Sequence, residues 1–403
     1  LVKLKYWSLF FVCYLLLGAW SLGRALEMPV TTSITSSTGG PTQLQSNIGG
    51  VSLGWIKVGS REVATLGWRP DFKLGAWSAG FDVNVALGDS KPEGYETAVL
   101  RYVEYDDLKK GLRYGILDGV TLGHGLIMKN YSTRVGNSVM PVNEQTGLKG
   151  YVDLDQNLVR ALATKSNIYY LRLEQRINPN LTIGEYYVTD TTGRLIRQTD
   201  GTTRQFPAVS AVGVDAVMPL PLNLEGYAEA GQLMNHGNGY AAGLSWGYDL
   251  LVANASFLAE YRLLDKGFVP AYFSADYENN PVDLASAEAV SKPKNGYLAQ
   301  LKIDALGLMN LGLVYESYQE SNTTLTGDLI AKFTEQLTVR GYYKQPNFVD
   351  FRSITLEQGA VVGADVAYKV NPYTSLITHY RKSYNPTTGQ VESTQYYEIG
   401  LSF

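Results

Sequence analysis

Thiol chemistry is almost missing from this sequence. Its one cysteine, Cys13, lies in a stretch read below as removable, which leaves no disulfide, no thiolate nucleophile and no Cys-based metal site. Histidine is as scarce: His124, His236 and His379 stand far apart, with no His-x-x-x-His spacing, so neither a metal centre nor a cofactor is expected. Charge is sparse and balanced, with 34 Lys+Arg against 38 Asp+Glu, and a net charge of -4 removes the bulk attraction that a nucleic-acid partner requires. Beyond Ala25 no apolar run reaches the ~18 residues of a membrane-crossing helix. The Leu/Ala/Glu/Lys richness of long helical bundles is also lacking.

What the chain has instead is 41 glycines, 29 tyrosines and 45% apolar residues. Lys3 and Lys5 precede an apolar stretch from Tyr6 to Leu22, followed by Gly23, Arg24 and Ala25. That order predicts a cleaved secretory signal peptide over 1–25, with an uncleaved anchor as the rival reading. A Ser/Thr/Gly-rich segment without period follows, and 26–48 is read as a periplasmic tail.

From about Gly49 to Phe403 the dominant signal is period two. Ala253, Ala255, Phe257, Ala259, Tyr261 and Leu263 share one face; Asn254, Ser256, Glu260 and Arg262 share the other. The same division recurs for Tyr297, Ala299, Leu301 and Ile303 against Gln300, Lys302 and Asp304, and for Val362, Ala364, Val366 and Tyr368 against Asp365 and Lys369. The apolar faces mix Ala, Gly and Leu with aromatic residues toward their ends, as in Tyr240, Ala242, Leu244, Trp246 and Tyr248. A soluble sandwich buries Val, Ile and Leu in shorter strands, whereas a lipid-facing band has aromatic girdles where hydrocarbon meets water.

An open sheet edge in hydrocarbon leaves unpaired N–H and C=O groups, so such a sheet has to close. The expected fold is therefore all-β, a transmembrane antiparallel β-barrel over 49–403. Allowing ~17 to 18 residues per strand and turn, less two long loops, gives about 16 strands, with roughly 14 to 18 acceptable. Pro221–Asn223 and Tyr248–Leu250 read as tight turns, and Gly119–Gly150 and Leu264–Asn295 as long connections.

The sequence ends Gln395-Tyr396-Tyr397-Glu398-Ile399-Gly400-Leu401-Ser402-Phe403, with Tyr397, Ile399, Leu401 and Phe403 on one face and Gly400 between them. This resembles the C-terminal signal strand of Gram-negative outer-membrane β-barrel proteins, and the whole pattern resembles the porins among them. The resemblance implies outer-membrane location, contact with outer-membrane lipid and assembly by the machinery that reads that strand; association with further copies of the chain stays open. No room exists for the plug of TonB-dependent receptors, and no Asn-Pro-Ala hatch of the fatty-acid transporters is present.

Gly243-Leu244-Ser245-Trp246-Gly247 matches the G-x-S-x-G of a hydrolase elbow, but the alternation begun at Tyr240 runs straight through it. Ser245 is therefore read as a lumen residue and the chain as a non-enzyme. By parity the lumen receives Arg172, Glu174, Arg176, Glu225, Glu229, Glu260, Arg262, Lys302, Asp304, Asp328, Lys332, Arg340, Asp365, Lys369 and Arg381. His124 heads a long segment that either folds inward as a constriction or continues into an outer loop. The functional expectation is passive diffusion of ions and small polar solutes through this charged lumen. The alternative is a structural or surface-interaction barrel, its interior occluded by salt bridges and its loops binding a partner.

Overall fold

Alternation becomes backbone pairing wherever two such segments are joined by a tight turn. The structure, a computed structural model, describes residues 50–58, 61–87, 97–133, 146–197, 203–250, 252–275, 277–278, 281–285, 292–319, 323–350, 361–371, 374–385 and 390–401. The segments read as signal peptide and tail, and the terminal Phe403, lie outside these residues.

Six strands precede the first long connection: β1 (Gly50–Val58), β2 (Arg61–Arg69), β3 (Asp71–Leu74), β4 (Trp77–Leu87), β5 (Thr97–Asp106) and β6 (Lys110–Gly115). Then come β7 (Gly147–Asp153), β8 (Asn157–Thr164), β9 (Ile168–Asn178) and β10 (Leu181–Asp190). A small hairpin, β11 (Arg194–Arg197) and β12 (Thr203–Phe206), forms its own sheet. β13 (Val209–Leu220), β14 (Leu224–Leu233), β15 (Gly237–Leu250) and β16 (Ala253–Leu264) lead to the second long connection. The rest are β17 (Lys294–Ala305), β18 (Met309–Tyr318), β19 (Thr324–Lys332), β20 (Leu337–Pro346), β21 (Val361–Asn371), β22 (Thr374–Asn385) and β23 (Gln390–Leu401).

The main sheet holds 21 strands, paired antiparallel with their neighbours along the chain, and β10 passes over the small hairpin to pair with β13. β3 prolongs β2 along β4, with Pro70 at the joint where its missing N–H is tolerated. β1 pairs with β2 on one side and with β23 on the other, Val51–Trp55 against Tyr397–Leu401. The ladder thus comes back to its first strand, and Ile399, Gly400 and Leu401 sit between β22 and β1.

The antiparallel barrel-type fold is as the alternation predicts. Several of the strands are short. β6 has 6 residues and β8 has 8, and turns such as 221–223 are brief, so each unit consumes less chain than the allotted ~17 to 18. The two long connections fall where expected, whereas β15 continues to Leu250, moving that turn beyond Tyr248–Leu250.

Exposure separates the two faces. Tyr187, Tyr240, Tyr261, Tyr297 and Tyr315 stand exposed near the end of the long loops, with the Tyr261 and Tyr297 rings 5.1 Å apart. Near the tight-turn end Trp77 lies 5.0 Å from Tyr105, and Trp246 stacks on Tyr248 at 5.6 Å. The opposite parity is buried: Arg172, Glu229, Glu260, Arg262, Arg340 and Asp365.

Inner tyrosines repeatedly lie over a glycine directly across the ladder: Tyr186 over Gly213, Tyr227 over Gly243, Tyr318 over Gly296 and Tyr342 over Gly363. Each ring occupies the space a Cβ would take, so the glycine permits close packing and the ring covers its bare backbone. The apolar core is also internal, made largely by the two long connections folding back within the ladder.

Candidate functional site

The inward parity of neighbouring strands aligns charged and phenolic groups along one wall. Arg172 on β9 reaches Asp215 on β13 through two hydrogen bonds of 2.5 and 2.9 Å, and its Nε donates to Glu174 at 2.9 Å. Tyr186 on β10 donates to Glu229 on β14 at 2.5 Å, and Tyr227 donates to Glu260 on β16 at 2.6 Å. Arg262, only 1% exposed, pairs with Glu260 and donates to Glu316 at 2.9 Å and to the Tyr318 hydroxyl at 2.7 Å. In a low-dielectric interior such groups persist only when mutually satisfied.

The segment 116–133 folds onto this wall. Gly123 and Gly125 have φ of +55° and +94°, a left-handed backbone that lets the alternate N–H groups of His124 and Leu126 point the same way. They meet Glu229, whose Oε2 accepts the N–H of His124 at 2.9 Å and of Leu126 at 3.3 Å. The His124 ring stacks on Tyr227 with centroids 3.6 Å apart and planes 11° from parallel. Burial pushes the His124 imidazole down to about 4, although Asp215, Glu260 and Glu174 pull the other way. The neighbouring Lys129 is also lowered, chiefly by burial and then by Arg262.

The second long connection seals the first. Ala271 N–H donates to the Leu126 carbonyl at 2.8 Å, Phe273 N–H to Ile127 at 3.1 Å, and Lys129 N–H to Phe273 at 3.1 Å. Leu126, Ile127, Met128, Tyr131, Tyr272 and Phe273 are buried where the two loops meet. Toward the loop end a charged knot ties them to the wall: Arg194 bridges Asp190 at 3.0 Å and Glu278 at 3.1 Å. Ser166 and Tyr131 donate to Glu278, and Tyr277 donates to Asp190 at 2.8 Å. Burial and Glu278 raise the Tyr131 hydroxyl well above the usual phenol range.

The remaining predicted lumen residues are spread over the other strands. Arg340 bridges Asp328 at 3.1 Å, and Asp365 meets His379 Nδ1 at 2.9 Å, both groups buried. Lys302, Asp304 and Glu225 are half-buried, and Lys332 and Lys369 are exposed. Arg176 is exposed and bonds Asp153 near the tight turns, away from the others. The side chain of Arg381 lies outside those described.

Ser245 sits within the uninterrupted β15 with its hydroxyl 3.4 Å from Glu225, so the G-x-S-x-G stretch forms no elbow. Parity alone did not identify Asp215, Glu316, Tyr186, Tyr227, Asp190, Arg194 and Glu278 as partners. Inward tyrosines at the register of inward glycines are the signal that could have marked part of this wall.

No family model matches the sequence, and neither does any curated protein. Solved structures similar to it include Pseudomonas aeruginosa OccK11 (OpdR), at 10% identity and a TM-score of 0.42, covering 88% of this chain and 94% of that one. A BenF-like porin from Pseudomonas fluorescens Pf-5 aligns at 11% identity and TM-score 0.40, over 88% of this chain and 97% of the other. Wzi, an outer membrane protein of Escherichia coli involved in group 1 capsule assembly and a carbohydrate-binding β-barrel, aligns at 10% identity and TM-score 0.37, over 89% and 85%. At this level of likeness nothing about a solute passes from those proteins to this chain.

Proposed function

We propose that the chain is an outer-membrane channel through which ions and small polar solutes diffuse, its bore narrowed on one side by the paired loops. The carrying observation is the opposition of faces: exposed Tyr297, Leu244 and Phe257 on one, buried Arg172, Glu229 and Arg262 on the other. A water-soluble body has no use for aromatic rows at both margins of an exposed apolar band, whereas a bilayer does. Passage runs along the wall from β17 to β23, where Lys302, Lys332 and Lys369 retain access to solvent. Export under the 1–25 signal, with 26–48 as a periplasmic tail, belongs to the same reading.

Single-channel recording in planar bilayers tests it. Stable conductance steps from folded protein are the expected result. Folded protein that inserts without conducting favours the second reading, a surface-interaction barrel, which the fully buried loop junction at Met128 and Phe273 supports.

A further inference from the structure

The tight turns carry large apolar side chains that stay exposed among the described residues. Leu108 is 88% exposed, Leu222 57% and Leu306 65%, each in a different turn at the same end of the ladder. Their backbones make the choice of residue stranger. φ is +72° at Leu108, +66° at Leu222 and +52° at Leu306, a left-handed region that favours Gly, Asn and Asp and resists γ-branched side chains. Leu222 and Leu306 each precede a second residue of positive φ, Asn223 and Gly307, the geometry for which Asn-Gly is the usual pair. Leucine there is strained and wet at once, so some apolar surrounding must repay it.

Two further turns and the end of one strand carry exposed apolar side chains in ordinary backbone. Leu154, Ile177 and Phe333 are exposed and prolong the outward rows of β7, β9 and β19. The exposed row Val214, Met218 and Leu222 likewise runs off β13 into its turn without a polar break. Five of these six residues lie in the connections β5–β6, β7–β8, β13–β14, β17–β18 and β19–β20, and Ile177 is the last outward residue of β9, beside the β9–β10 turn. A globular partner covers one patch; residues distributed around a rim are wetted only by something that encircles it. Asp107, Lys109 and Asp155 stand in these same turns and limit how deep the rim can sink.

We propose that this rim is a lipid-contacting collar, with the tight turns lying at the boundary of headgroups and acyl chains of the adjoining leaflet. The collar rests on the reading of the chain as a membrane barrel. It adds that the outward apolar band does not stop at the last paired residues, so the tight-turn mouth of the bore opens level with the bilayer surface.

Spin labelling tests the collar on the full chain in phosphatidylcholine vesicles. Cys13→Ser leaves any introduced cysteine as the only thiol. Nitroxides at Leu222→Cys and Phe333→Cys are compared with Leu244→Cys in the band and Lys165→Cys in a turn at the other end. The expected ratio of oxygen to nickel-chelate collisions at Leu222 and Phe333 is close to that at Leu244 and several-fold above that at Lys165. Water-like ratios at the turns with a lipid-like Leu244 overturn the collar alone and leave a soluble partner as its occupant. A water-like Leu244 takes down the membrane reading together with the collar. Leu154→Cys and Ile177→Cys, which demand no left-handed backbone, repeat the measurement if Leu222→Cys does not fold.

Discussion

His124 and Tyr227 form a parallel stack, ring centroids 3.6 Å apart, while the His124 backbone N–H is held by the Glu229 carboxylate. The stack places an imidazole of ordinary value 6.5, here pushed down to about 4 by burial, at the seat of the folded-in loop. A histidine whose folded value is depressed binds its proton more readily when released, so its contribution is complete above pH 6.5 and is lost as pH falls toward 4. A displacement of this size corresponds to about 3 kcal/mol. Loop docking should therefore weaken between these limits, seen as increased current noise or faster proteolysis of 116–133, and His124→Phe should remove the pH dependence while keeping the stack.

Glu229 accepts two loop N–H groups and the Tyr186 hydroxyl. Glu229→Ala leaves these donors without their acceptor, at about 1 to 3 kcal/mol for each buried group. The expected outcome is a loop that leaves the wall, read as larger or flickering single-channel conductance with the ladder itself intact by circular dichroism.

Arg172 and Asp215 are a buried bidentate pair. Asp215→Leu strands a guanidinium and should cost about 3 to 5 kcal/mol, whereas Arg172→Leu with Asp215→Leu should recover most of that loss. Denaturant unfolding of the two variants in detergent checks the order; equal losses would show that the pair is solvated.

Selectivity should follow the accessible cations. Lys302→Glu with Lys369→Glu is expected to shift the reversal potential toward cation preference. Gly123→Val, which drives a side chain into Glu229, should alter conductance while leaving selectivity nearly unchanged. Reversal potentials across a salt gradient separate the two effects. An unmoved value for the double lysine variant would remove β17 and β21 from the path.

Gly243→Val tests the ring-over-glycine packing, since the new side chain needs the place of the Tyr227 ring. Loss of heat resistance in gel-shift assays is expected, and Ser245→Ala in the same stretch should be silent.

Alternation made the strand type and the two faces legible, because a period of two is local: Tyr261 and Arg262 must point apart wherever the strand lies. It could not reveal partners. That Arg172 meets Asp215 across β10, or that Glu229 receives the His124 backbone 105 residues away, follows from register and loop path. Nor could alternation delimit short strands such as β6, which give too few alternations to separate from their turns.

The sequence by itself determined an all-β chain with one apolar and one charged face and two long connections, since side-chain direction and turn chemistry act over a few residues. Only the tertiary structure decided which charges neutralise one another and that the long connections fold back against the ladder and pair at Met128 and Phe273. It also decided that the turn leucines share one rim. Those outcomes depend on contacts between segments far apart in the chain, whose geometry exists only once the ladder has brought them to a common wall.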